Sequence, residues 1–239
     1  MGVVIVQPDT TKNPISLIGL EAGICWGANI EDEEKNYKRG LDCLSSNHGR
    51  TLEFPQVYLT ISGYSARFMR ELYTHIGGAP SRLQASTRYI NYEKGFEYII
   101  PDKINNNEEA RKLYIETMDH ITNTLYKLEY EYKIPREDSA NLLPLGMESK
   151  MVLRTNLRNL IDMSHQRLCS RAYWEFREFM KDLMRELGNY SAEWKYIIET
   201  YFEPKCELYG FCTESKSCGR KPKKEELMDA LRRIENVDD

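Results

Sequence analysis

The chain has 239 residues, 41% of them hydrophobic and 29% charged, with a formal net charge of −4. That balance is ordinary for a globular domain, and the acidic excess argues against nucleic acid or an anionic membrane held by bulk charge. No apolar run approaches the ~20 residues of a membrane helix, so a cytoplasmic protein is expected, in which any anion must be held by local arginines.

Taken in chain order, the start carries no basic region or signal-peptide core, and residues 3–6 read as a short buried strand. Residues 55–63 read as a second strand, with Val57, Leu59 and Ile61 alternating on one face. Ser65 fits an N-cap for a helix over 66–76, with Phe68, Leu72 and Ile76 at four-residue spacing, ended by Gly77-Gly78-Ala79-Pro80. Strand-like segments follow at 86–91 and 96–101. Residues 107–132 form a long amphipathic pattern, with Ala110, Tyr114, Met118, Ile121, Leu125 and Leu128 on its apolar side. Pro135 opens a short helix that Pro144 stops. The spacing predicts helices over 154–165 and 170–187, with Ser170 capping the second, and a further helical stretch over 192–202. After Pro204 the chain turns polar and lysine-rich, then ends in a charged helix from 224 to about 234. The expected fold is α/β (α+β), a compact mixed sheet flanked by helices over 1–203, with 204–239 as a cysteine-containing appendage.

Two polar clusters stand out. Ser86, Thr87 and Arg88 follow a glycine turn and read either as an anion-holding segment or as a hydroxyl-rich turn with a surface arginine. Arg154, Asn156, Arg158, Asp162, His165 and Arg167 read either as a solvated basic face or as polar groups on a ligand-lined surface; Leu157, Leu160, Ile161 and Met163 leave little of that helix for water. His48 and His75 lie in loop-like contexts, whereas His120 sits among charged neighbours. Phosphate-loop, dinucleotide-fold, serine-elbow and zinc-hydrolase motifs are absent from the sequence. Cys206, Cys212 and Cys218 could supply three thiolates to a metal, but a fourth ligand is needed and the spacing is not that of a zinc knuckle, so reduced thiols and no metal are expected.

With these residues set out, the chain resembles the flavin-dependent thymidylate synthases. Three blocks carry the likeness: His48-Gly49-Arg50-Thr51-Leu52-Glu53; Gln84-Ala85-Ser86-Thr87-Arg88-Tyr89 with Phe96 to Pro101 behind it; and Asn156-Leu157-Arg158 through Arg167 to Ala172-Tyr173-Trp174-Glu175. The chain departs from the family where Arg-His-Arg is replaced by Thr74-His75-Ile76, where Asn-Glu becomes Leu83-Gln84, and where an arginine is lost at Asp138-Ser139-Ala140. The resemblance implies reductive methylation of dUMP to dTMP by a homotetramer, with FAD as cofactor and NADPH and methylenetetrahydrofolate as co-substrates. It implies Arg167 as the catalytic guanidinium, with Glu71, Tyr73, Gln84, Ser86, Thr87 and Arg88 as further nucleotide contacts. It implies His48, Arg50, Thr74, His75, Ile76, Gln84, Asn156, Arg158 and Asp162 on the cofactor, with Cys25 as a weaker candidate. A related flavoenzyme acting on another pyrimidine nucleotide, or a non-catalytic nucleotide-binding homologue, are the competing expectations.

Overall fold

A computed structural model describes residues 2–235. In chain order its elements are β1 (Val3–Val6), α1 (Pro14–Cys25), α2 (Glu33–Ser45), β2 (Gln56–Ser65), α3 (Ala66–Leu72), β3 (Ser81–Gln84), α4 (Asp102–Asn105), α5 (Glu108–Tyr126) and α6 (Arg136–Ser139). There follow β4 (Glu148–Asn156), α7 (Leu157–Arg167), α8 (Trp174–Tyr190), α9 (Ala192–Tyr201), α10 (Lys205–Tyr209) and α11 (Lys224–Glu235). The strands form one sheet in the order β1-β2-β4-β3. The chain divides into two compact units, one of Met1–Ile5, Leu59–Thr74 and Ser81–Leu153, the other of Val6–Tyr58, His75–Pro80 and Arg154–Asp239.

In the first unit, Leu59 and Ile61 of β2 are fully buried, as the alternation requires, and the Ser65 hydroxyl accepts from the Phe68 N–H at 3.0 Å to start α3. The helix ends four residues earlier than its spacing predicts. Thr74 closes the last turn, its N–H and Oγ1 both donating to the Glu71 carbonyl at 3.1 and 2.7 Å, and Ile76 is left 74% exposed. Asn107 caps α5 by accepting from the Ala110 N–H at 3.0 Å, and Met118 and Leu125 bury its apolar stripe. A π-helical stretch, Lys127–Glu131, continues it.

The second unit holds two helices that periodicity did not predict, α1 and α2. They cross in near backbone contact: a Cβ on Gly19 would meet the Asn36 carbonyl oxygen at 1.7 Å, and one on Gly40 the Ile15 oxygen at 2.0 Å. The N-terminus of α1 has no local side-chain cap. Its orphan donors go instead to Glu193 at the start of α9, whose carboxylate accepts from Ile15 N–H (2.6 Å), Ser16 N–H (3.1 Å) and Ser16 Oγ (2.5 Å).

Three further expectations change. Residues 86–91 form a turn, with the Tyr89 and Ile90 N–H groups both donating to the Ser86 carbonyl at 3.2 Å, because β3 has already ended at Gln84. Of 96–101 only Tyr98 pairs, as an isolated bridge to Met147. The predicted 154–165 helix is strand as far as Asn156 and helix from Leu157, and α8 starts at Trp174 without a side-chain cap, so Ser170 is not its N-cap. Among the described residues no helix is long and apolar enough to cross a membrane.

Candidate active site

The β4-to-α7 junction organises the second unit's polar residues. Asn156 is 3% exposed, and its Oδ1 accepts from the Asn159 N–H at 3.0 Å, while Asn159 Nδ2 donates to Thr155 Oγ1 at 2.8 Å. This amide pair therefore caps the helix and is itself satisfied. The turn after α3 lies directly against it. Gly78 has φ +68°, and a Cβ there would come within 2.0 Å of Asn156 Nδ2, so only glycine fits.

The same turn delivers His75, which is buried, to the far end of α7. Arg167 Nε donates to His75 Nε2 at 2.9 Å. A guanidinium can only donate, so His75 accepts there and carries its proton on Nδ1. Phe176, in the first turn of α8, supports both: the Arg167 guanidinium lies 4.4 Å from its ring centroid and the His75 ring 5.4 Å from it. Arg167 also lines a cavity of about 320 Å³ at the end of α7, with His165 beside it. Burial lowers the His165 pKa from its usual value, against opposing attraction from Asp162 and Glu203.

On α7's first turns, Arg158 Nη1 pairs with Glu53 Oε1 at 2.7 Å, and Arg50 Nη1 reaches the other Glu53 oxygen at 3.4 Å. A cavity of about 220 Å³ opens there, lined by Asn47, Gly49, Leu52, Arg158, Ile161 and Asp162. A Cβ on Gly49 would stand 3.3 Å from the Arg158 guanidinium carbon, which makes Gly49 part of the cradle. His48 packs edge-on to Trp26 at 6.5 Å. The sequence block His48 to Glu53 and the Asn156–Asp162 block are thus brought together. Arg154, on the strand side of the junction, is exposed, and Cys25, at the end of α1, is exposed too.

The first unit holds the other set. Ser86 Oγ accepts from the Arg88 N–H at 3.3 Å, and the Arg88 guanidinium pairs with Glu137 at 3.1 Å, both exposed. Gln84 Nε2 donates to Ser149 Oγ at 3.1 Å. Arg82 covers the Tyr73 ring at 5.2 Å, and burial lowers its guanidinium from the usual value. Ser139, 1% exposed, donates to Glu129 Oε1 at 2.7 Å, and Arg136 pairs with the same carboxylate at 3.3 Å. Thr87 lies within the turn, and Glu71, Tyr73 and Thr74 close α3. Sequence reasoning did not single out Glu53 as the bridge or Phe176 as the platform. Glu53 stood in view inside its block, whereas Phe176 had no local mark beyond being an aromatic early in an amphipathic helix.

The family model described as "Thymidylate synthase complementing protein" matches residues 8–190. The chain belongs to that family. A flavin-dependent thymidylate synthase of Clostridium tetani is 27% identical over 243 residues, covering 92% of this chain and 94% of that protein. One from Pyrococcus horikoshii is 34% identical over 175 residues, covering 72% and 70%. A crystal structure of the Helicobacter pylori flavin-dependent thymidylate synthase, complexed with FAD and dUMP, shares the fold with a TM-score of 0.66 at 20% identity, covering 84% of this chain and all of that one.

Proposed function

We propose that this protein is a flavin-dependent thymidylate synthase, converting dUMP to dTMP with methylenetetrahydrofolate as carbon donor, NADPH as reductant and FAD as cofactor. The single observation that carries the reading is family membership across residues 8–190, a span that contains every proposed site residue. We further propose a cytoplasmic homotetramer, with residues 204–239 as an appendage to the catalytic region.

The residues near the α7 start suit a flavin dinucleotide. Arg158 and Arg50 supply cations to a phosphate-bearing group, Gly49 leaves room beside Arg158, and Asp162 with the Asn47 loop offers acceptors and donors. FAD held there and reduced by NADPH would supply hydride, so the protein's own task is to position and to stabilise charge. Gln84, Ser86, Thr87 and Arg88 are assigned to the nucleotide, along with Glu71 and Tyr73 at the end of α3. Thr74, His75 and Ile76 are assigned to the cofactor, with His48. Arg167 is assigned to the pyrimidine, where a permanently charged guanidinium stabilises the ring as its N3 proton leaves. His75 fixes that guanidinium through Nε, and Phe176 fixes its plane. Ser86 is assigned as a contact and not as a nucleophile, since among the described residues no basic side chain is hydrogen-bonded to its hydroxyl to activate it.

A second reading, a flavoenzyme acting on another pyrimidine nucleotide, draws on the replaced cations: Thr74, Ile76 and Ala140 stand where the resemblance leads one to look for arginines, and nearby Arg136 is engaged with Glu129. Purified protein with bound flavin absorbance and tritium release from ring-labelled dUMP, dependent on methylenetetrahydrofolate and NADPH, would support the first reading. Release from labelled dCMP or dTMP precursors other than dUMP would support the second, and colourless protein inert to added FAD would end both.

A further inference from the structure

The cavity of about 320 Å³ at the end of α7 is walled on one side by residues 165–172 and on the other by 204–221, which lie beyond the family match. Four of the chain's six cysteines line it: Cys169, Cys206, Cys212 and Cys218. Six lysine and arginine side chains line it as well, against a single glutamate, Glu214. Two of those cations are already paired, Lys221 with Glu207 at 2.8 Å and Arg171 with Glu214 at 3.9 Å. Lys216 and Arg220 have no carboxylate partner among the described residues.

The wall contributed by the appendage is a closed loop. Cys212 N–H donates to the Pro222 carbonyl at 2.7 Å, Cys212 bridges to Lys223, and Lys223 Nζ donates to the Ser215 carbonyl at 3.0 Å. Cys218 sits on this loop and, of the four thiols lining the cavity, is the exposed one. Hydrogen bonding from Ser170 and the Arg220 backbone, with the Arg220 charge, lowers its pKa from the usual thiol value. Among the described residues no group of three or more Cys, His, Asp or Glu is placed to hold a metal ion.

A cationic cavity that presents an exposed thiol selects a reactant that is both anionic and thiol-reactive. We propose that this cavity is a modification site, at which Cys218 exchanges with small anionic disulfides to form a mixed disulfide. The Cys218 sulfur, as thiolate, attacks one sulfur of the reagent. A bond forms from Cys218 to that sulfur, the reagent's S–S bond breaks, and the second half leaves as a thiolate, while the proton lost from Cys218 goes to solvent. The disulfide is the oxidant, and no other reactant is needed. The cavity shares Arg167 with the site proposed above, but the exchange at Cys218 uses neither FAD nor dUMP, and its test does not read that reaction.

The test uses the full-length protein, with exposed Cys25 as the reference thiol in the same chain. Reduced protein is treated separately with oxidised glutathione, which is anionic, and with cystamine, which is cationic, and labelling at each cysteine is timed by peptide mass mapping. The expected ratio of Cys218 to Cys25 labelling rates is about tenfold or more with oxidised glutathione, as a local field of opposite charge provides. It should fall towards unity with cystamine or in 1 M salt. Combining Lys216→Ala with Arg220→Ala should lower the glutathione ratio several-fold. Equal ratios for the two reagents in the parental protein, or labelling led by Cys25, would overturn the proposal; a circular dichroism spectrum and melting temperature of the double variant that match the parent's show that its lowered ratio reflects lost charge and not unfolding.

Discussion

Arg167 and His75 lie 92 residues apart in sequence, yet the Arg167 Nε donates to the His75 Nε2 at 2.9 Å, and Phe176 packs against both, its ring centroid 4.4 Å from the guanidinium and 5.4 Å from the imidazole, which meets it edge-on. This bond uses the guanidinium's inner donor to hold its orientation while its charge stays directed by Phe176. Orientation and charge are therefore separable by substitution. Arg167→Ala should lower tritium release from dUMP by at least about 100-fold, the scale of losing one charge-stabilising donor, while FAD absorbance on the purified protein persists. Arg167→Lys keeps the charge without the fork and should recover only a small part of that loss. Wild-type turnover in either variant would remove Arg167 from its assigned role.

The Gly78 turn meets α7 so closely that no side chain can be accommodated. Gly78→Ala combines φ +68° with a 2.0 Å approach to Asn156 Nδ2. Expected destabilisation is about 2–4 kcal/mol, since strain and displacement of a capping amide act together. For a chain of this size that lowers the melting temperature by roughly 5–15 °C. A shift under 2 °C would show that the turn relaxes freely away from α7.

How much of this could be read from sequence follows from where each signal is local. Ser65, Asn107 and the alternation through Leu59 and Ile61 act within a few residues, so the cap and the strand were legible. The 154–165 segment was misread because Leu157, Leu160, Ile161 and Met163 carry a helical period that spills back over strand residues ending at Asn156. Ser86 and Arg88 have strand propensity, but two N–H groups folding back on the Ser86 carbonyl win over it. Helix α1 gives no such signal: it is nearly uniformly apolar, so it shows no one-sided stripe, and Glu193 caps it from 178 residues away. Helix α2 does carry local marks, an Asp32 cap on the Lys35 N–H and a buried face of Asn36, Gly40, Cys43 and Leu44. The site residues were gathered by motif, while their supports, Glu53 and Phe176, became visible only through contacts.

That distant cap is itself testable. Glu193 accepts three hydrogen bonds from Ile15 and Ser16, so it holds the α1 N-terminus as a capping side chain would. Glu193→Gln keeps the shape and loses the charge, at a cost of about 1.5–3 kcal/mol for charge-assisted bonds, read as a melting temperature lower by roughly 4–10 °C. Unchanged stability would mean that α1 finds its donors elsewhere.

Burial lowers the His165 pKa below the usual 6.5, which fixes the sign of a pH effect. Between the folded and unfolded values the unfolded chain binds more protons, so stability rises with pH across that window. The contribution is fullest above 6.5 and is lost as pH falls through the folded value. His165→Gln should therefore lose less stability than the parent between pH 7.5 and pH 5, measured as the change in denaturation midpoint for each. A parental loss no larger than the variant's would contradict the shift.

Arg88 pairs with Glu137 at 3.1 Å with both side chains more than half exposed, so the pair contributes little to stability, about 0.2–1 kcal/mol. Its role, on the proposed function, lies in holding an anion, and the two can be separated. Arg88→Ala should change the melting temperature by no more than about 3 °C while raising the dissociation constant for dUMP by roughly 10- to 100-fold, the range of a lost charge-assisted contact. FAD retention should be unaffected, because Arg88 is assigned to the nucleotide alone. Isothermal titration of the flavin-loaded protein with dUMP reads the first effect and the visible flavin spectrum the second. Unaltered dUMP affinity would leave Arg88 as a surface ion pair with Glu137, and the turn from Ser86 to Ile90 as structure without a ligand.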